Sequence, residues 1–264
     1  MELININQPT IVIGFAVGFL VGLTGIGGGS LMTPIMILFL GIRPTIAVGT
    51  DLIFGAITKI FGSVIHYRQR TVNPPIILFL ALGSVPSSLL GVHVISLIKK
   101  SYGYFVDTFV MKTLGITLIL VAVAIVLKVI FPAGDIRTDE RTLSVFSIRQ
   151  KVLTILLGAG VGFLVGLTSV GSGSLIVPSL LALFPKLSSK IVVGTDVFHA
   201  AILVSVAGLA HLNSGNVQLP LVSNLLIGSL PGVFFGSKMN LKVPEKVLRP
   251  VLASMLILTG IKLI

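Results

Sequence analysis

Residues Gly18–Pro34 read GFLVGLTGIGGGSLMTP, and residues Gly162–Pro178 read GFLVGLTSVGSGSLIVP. Aligned without gaps, 12 of the 17 positions are identical. Each copy is an apolar run, a break rich in glycine and serine, and a second apolar run. In the first copy the outgoing run, Ile11 to Leu23, and the returning run, Leu31 to Leu40, reach about 20 and 15 Å as helices, against a hydrocarbon core of about 30 Å. Neither run crosses a bilayer alone, so the stretch reads as a hairpin that turns inside the membrane.

Composition supports the bilayer as solvent. Of 264 residues, 54% are hydrophobic and 10% charged, with a mean hydropathy of +1.10. A soluble domain carries about 25% charged residues. The net charge of +11 would suit a nucleic-acid binder, but the basic residues sit in short loops between apolar runs. That is the distribution of the positive-inside rule, and no nucleic-acid partner is expected. There is no cysteine, hence no disulfide and no thiolate metal site. No cofactor and no metal are expected. The start, MELININQPT, lacks the basic region of a signal peptide, so Ile11 onward reads as a permanent membrane segment.

The chain in order gives the first hairpin, then spans at Thr45–His66, Pro74–Ile98 and about Phe109–Phe131. The polar stretch 132–150 reads as a linker. A second hairpin follows at about Leu153–Phe184, then spans at about Ser189–His211, Leu219–Gly236 and Leu248–Ile264. Beyond the hairpins the match continues at an offset of 145. Val48-Gly49-Thr50-Asp51 repeats as Val193-Gly194-Thr195-Asp196, and His66 falls on His211. The expected fold is an all-α polytopic membrane protein of two inverted repeats, 1–131 and 151–264. Each is a Gly-rich broken-helix hairpin followed by three transmembrane helices.

Inversion follows from counting crossings. A hairpin returns to the side it entered, so each copy crosses three times net and the copies face opposite ways. One side then carries Arg43, Lys99, Lys100, Lys112 and Lys262. The other carries Arg68, Arg70, Lys128, Arg137, Arg141, Arg149, Lys151, Lys186, Lys190, Lys238, Lys242, Lys246 and Arg249. The richer side is expected to be cytoplasmic, with the linker inside and both termini outside. Inverted repeats with broken helices are a design of secondary transporters, whose sites lie near the midplane.

The expected substrate site is the pair of hairpin tips. It comprises Thr24, Gly25, Gly27, Gly28, Gly29 and Ser30 in the first copy. In the second it comprises Thr168, Ser169, Gly171, Ser172, Gly173 and Ser174. Glycines allow a tight turn and close approach of a ligand to the backbone. Ser30 and Ser174 are placed to N-cap the returning helices, whose free N–H groups would hold an anion without a lysine. The alternative role for these glycines is close helix packing. Asp51 and Asp196 are the acids well inside spans. Each either braces the facing hairpin through backbone N–H groups or couples protons. Lys59, with Val204 in the other copy, is expected to snorkel to the cytoplasmic face. His66 and His211 are expected to act as polar anchors or water-facing ligands. Ser172 with His199 or His211 would be a hydrolase pair, but the chain lacks GxSxG.

The paired tips GLTGIGGGSLMTP and GLTSVGSGSLIVP, each followed by VGTD and a histidine near the span end, resemble the TauE/SafE family of sulfite and organosulfonate exporters. The likeness covers both halves. It implies an inner-membrane helical bundle that exports a small sulfur oxyanion such as sulfite or an organosulfonate. Direction is not encoded in the sequence, so uptake of a related anion is the alternative. The expected partners are the small anion and the lipid bilayer, with room for a homo-oligomer.

Overall fold

The computed structural model describes residues 7–24, 29–103, 105–130, 146–240 and 245–264, and these form ten helices and no strand. They are α1 (Gln8–Thr24), α2 (Gly29–Leu40), α3 (Pro44–Arg68), α4 (Pro74–Tyr102) and α5 (Phe105–Ile130) in the first copy. The second has α6 (Ile148–Thr168), α7 (Ile176–Leu183), α8 (Ser189–Asn213), α9 (Leu219–Asn240) and α10 (Glu245–Leu263). Six of them, α3, α4, α5, α6, α8 and α9, are long and apolar enough to cross a membrane. Gly25, Gly27 and Gly28 lie outside the described residues, as do the surroundings of Thr24 and Gly29 and most of the expected linker.

Two boundaries differ from expectation. The second hairpin starts at Ile148, within the stretch expected as linker. Ser147 and Gln150 form a capping box, each side chain bonding the other's backbone N–H, so the helix begins earlier than its apolar run. With 21 residues, α6 is about 31 Å long and matches the hydrocarbon thickness, so it is not a short half-helix. The returning α7 has 8 residues, about 12 Å, and does not cross. The final helix, α10, starts three residues before the expected Leu248.

Both hairpins bring their ends together. Residues Asn7–Thr10 before and in α1 share a cavity with Leu40 and Ile42 at the end of α2. Phe146, just before α6, meets Phe184, just after α7, edge to face at 5.3 Å, and Gln150 donates to the Leu183 carbonyl at 3.2 Å.

Partner helices come from opposite copies: α1 packs on α9, α4 on α6, α3 on α8 and α5 on α10. The first two seams are backbone against backbone. Gly14, Gly18 and Gly22 of α1 face Leu225, Ser229 and Val233 of α9. In the other copy Gly158, Gly162 and Gly166 of α6 face Leu80, Ser84 and Ser88 of α4. A Cβ at Gly162 would come within 2.6 Å of Ser87 Oγ, so only glycine permits this approach. The glycine stripe on the helical side of the repeated motif therefore does packing work.

The central pair α3 and α8 runs antiparallel. Asn73, after the end of α3, donates its N–H to Thr195 in the second turn of α8 at 2.9 Å. Gln218, after the end of α8, donates to Thr50 in the second turn of α3 at 3.2 Å. The two bonds differ by the offset of 145 at both partners. Apolar side chains form two clusters on either side of this pair. One joins Leu80, Ile95, Val165, Leu180 and Leu203, and the other Val17, Met32, Met36, Leu118, Leu225 and Leu256. Val170, at the second tip, belongs to the latter cluster, which joins α1, α2, α3 and α5 to α9 and α10.

Candidate functional site

The second hairpin tip is the better described. Thr168 ends α6 with its hydroxyl bonded to the Leu164 carbonyl and accepting the Val170 N–H. Ser169 is the C-cap in the left-handed region, φ 64°, and Gly171 has φ 118°. A side chain at positive φ is disfavoured, yet Ser169 uses the position: its hydroxyl donates to Asp51 Oδ2 at 2.8 Å. Thr33, in the second turn of α2, donates to the same oxygen at 2.6 Å. Asp51 is thus buried at the junction of α2, α3 and the second tip. It braces both hairpins through hydroxyl groups rather than backbone N–H groups. Its Oδ1 has no partner among the described residues.

Lys59 does not snorkel. Its Nζ donates to Ser172 Oγ at 2.5 Å, and the side chain is half-buried. The reason is geometric: Lys59 stands two turns beyond Asp51 on α3, on the wall of a cavity of about 220 Å³. At ~30 Å³ per water, that volume holds about seven waters or a small oxyanion. Asp51, Thr58, Lys59 and Ser169 supply its polar atoms, and Val17, Met32, Phe54, Val197, Val204 and Val233 its apolar wall. The expectation of an anion site without a lysine is therefore revised: a cation stands at the tip.

Asp196 is buried on α8, and a Cβ added at Gly173 would lie 3.5 Å from its Oδ2. Its Oδ1 likewise has no partner among the described residues. Lys59 lies within electrostatic reach of both carboxylates. His199, one turn beyond Asp196, is fully buried, with Nε2 2.7 Å from Ser84 Oγ and Nδ1 unpartnered. Thr33 and Ser84 were not among the residues expected at a site, and His199 entered only as a possible hydrolase partner of Ser172. For His199 the available signal was the repeat itself, which puts Phe54 in its place.

The serines expected as N-caps do not serve so. Leu175 is the N-cap of α7, without a side-chain cap, and Ser174 lies in the turn before it. That turn spends its own donors: Leu175 N–H bonds the Gly171 carbonyl and Val177 N–H the Gly173 carbonyl. Ser30 is buried inside the first turn of α2.

The histidines at the span ends are anchors. His66 Nδ1 is 2.9 Å from Thr71 Oγ1, and Thr71 N–H returns to the His66 carbonyl. Asn216 does the same for His211, whose Nε2 lies 2.9 Å from the Gly166 carbonyl. Neither His199 nor His211 bonds Ser172, so the hydrolase pair is not assembled. Among the described residues no group of three or more His, Cys, Asp or Glu side chains could hold a metal ion.

Residues 10–263 match the family described as "Sulfite exporter TauE/SafE". The chain belongs to this family. It is 42% identical over 254 residues to the probable membrane transporter protein YjnA of Bacillus subtilis, covering 96% of this chain and 98% of the relative. A second Bacillus subtilis relative, the probable membrane transporter protein YunE, is 29% identical over 96% of both chains. The probable membrane transporter protein MJ0441 of Methanocaldococcus jannaschii is 30% identical over 95% of this chain and 92% of its own. No solved structure matches the chain. The TauE/SafE chain described here is a multi-pass membrane transporter.

Proposed function

We propose that this transporter exports a small sulfur oxyanion, such as sulfite or an organosulfonate, from a cavity beside the second hairpin tip. The observation that carries the reading is Lys59 on Ser172 at the wall of that cavity. In a low-dielectric interior an ammonium with a neighbouring hydroxyl favours an anion, and the apolar walls exclude water that would compete for it. The antiparallel α3 and α8 support an arrangement as inverted repeats in the inner membrane. In that arrangement the ends bearing Arg68 and Arg149 face the cytoplasm and both termini lie outside.

The test is flux in proteoliposomes with a panel of sulfite, sulfate, thiosulfate and sulfonates. Saturable movement of sulfite or a sulfonate, lost on replacing Lys59, is the expected result. A panel in which no anion moves would overturn the reading.

A further inference from the structure

The repeat is broken at a few polar positions, and they gather at one place. Lys59 stands opposite Val204 in the alignment of the copies, His199 opposite Phe54, and Ser169 and Ser172 opposite Gly25 and Gly28. In the fold Lys59 bonds Ser172, Ser169 bonds Asp51, and Asp196 and His199 share one face of α8. A symmetric scaffold thus carries an asymmetric charge set: one ammonium against two buried carboxylates.

Among the described residues the surrounding elements bring no other buried charge. On α4, Lys99 bonds Asn216 at the helix end and His93 is exposed. On α6, Lys151 lies over Phe79 at the start of the helix. On α5, Asp107 is paired with Arg43, and on α9 Lys238 lies over Phe234. Helices α2 and α7 carry no ionisable side chain.

With both carboxylates ionised and His199 neutral, the empty site has one negative charge in excess. An arriving anion adds a second in a medium that tolerates neither well. We propose that each monovalent anion binds together with one proton, which Asp196 receives on Oδ1, an atom with no partner among the described residues. The proton comes from water on the side the anion enters and leaves with it. The loaded site then carries the same charge as the empty one. Asp196 is assigned as the acceptor over Asp51 because two hydroxyls already donate to Asp51 Oδ2. His199, held by Ser84 with Nδ1 unpartnered, adds a polar edge beside Asp196. Transport of a monovalent anion is then electroneutral, and its direction follows the anion and proton gradients together. This inference rests on the transporter reading above.

The experiment uses the full chain in proteoliposomes with a pH dye inside. Methanesulfonate is the first probe, because it stays ionised and carries no proton itself. An inward gradient should acidify the lumen by one proton per anion, at a rate unchanged by an imposed membrane potential. Asp196→Asn should carry the anion without the proton, and Asp196→Glu should restore coupling. Methanesulfonate flux that leaves lumenal pH unchanged overturns the proposal while leaving the transporter reading intact. If sulfite alone crosses, the readout is the pH dependence of its flux, which Asp196→Asn must shift away from the wild-type profile; an unchanged profile overturns the proposal. Should Asp196→Asn fail to fold, the wild-type proton ratio, or for sulfite the profile of Asp196→Glu, decides. If no anion of the panel crosses, both readings fall.

Discussion

The Ser169 hydroxyl reaches Asp51 Oδ2 at 2.8 Å from a backbone held at φ 64°. Its position opposes two effects. A left-handed non-glycine residue costs about 1–2 kcal/mol. A hydrogen bond to a charged group contributes about 1.5–3 kcal/mol in water-soluble proteins, while interhelical bonds in membranes average nearer 0.6 kcal/mol. Ser169→Ala loses the bond and keeps the strain, whereas Ser169→Gly loses the bond and relieves the strain. Thermal unfolding in detergent should therefore rank Ser169→Gly above Ser169→Ala by about 1 kcal/mol. The reverse order would mean that the left-handed turn is not strained.

Lys59 and Asp196 should be energetically coupled. Removing one member of a buried charged set costs about 3–5 kcal/mol, because the remaining charges lose compensation. Lys59→Met should lower the unfolding midpoint and abolish flux. Adding Asp196→Asn should recover part of the stability and none of the flux. Strict additivity in this double-mutant cycle would show that the two groups act independently.

Two glycines two positions apart on α6 separate packing from propensity. A Cβ at Gly162 meets the backbone of Ser84 and the Ser87 hydroxyl, while a Cβ at Gly160 meets nothing within 4 Å. Gly162→Ala should destabilise by about 1–3 kcal/mol, the usual cost of overpacking. Gly160→Ala should be neutral or stabilise by up to about 1 kcal/mol, as alanine replaces glycine in a helix. Equal effects on membrane accumulation would remove the backbone seam from the account of α4 and α6.

Orientation is open to direct labelling, since the chain has no cysteine. A cysteine at exposed Lys100 should react with an impermeant reagent in intact cells. One at exposed Gln69 should react only after permeabilisation. The opposite pattern would turn the transporter over in the membrane.

The spans were legible because hydropathy alone marks a helix that must satisfy its backbone in lipid. Thr45–His66 and Ser189–His211 match α3 and α8 to within two residues. The start of α6 was legible too, in Ser147 and Gln150, but the apolar run at Leu153 drew the boundary inward. The site was only partly visible. Asp51, Ser169 and Ser172 stood out as polar residues in or beside the repeated motif, and the fold brings them to one cavity or its rim. Thr33 did not, because a threonine in an apolar helix ordinarily bonds its own preceding turn. Lys59 was seen but misplaced: a helix pattern gives its distance from the span end, not the depth of the hairpin tip that meets it. For His199 the residue was noticed but its partner was not, since no periodicity points to Ser84 on a helix from the other copy.

The glycine face of α1 packs on α9, which begins at Leu219. Synthesis proceeds from the N-terminus, so the ribosome releases α1 long before its partner exists. The same delay separates α4 from α6 and α5 from α10, but it is longest for the first helix. Until α9 emerges, a stripe shaped to touch another backbone can meet only lipid tails or the insertion machinery. A nascent chain halted before Leu219 therefore holds its first helix in the bilayer by hydropathy alone, and the completed bundle is reached only in the closing stage of translation.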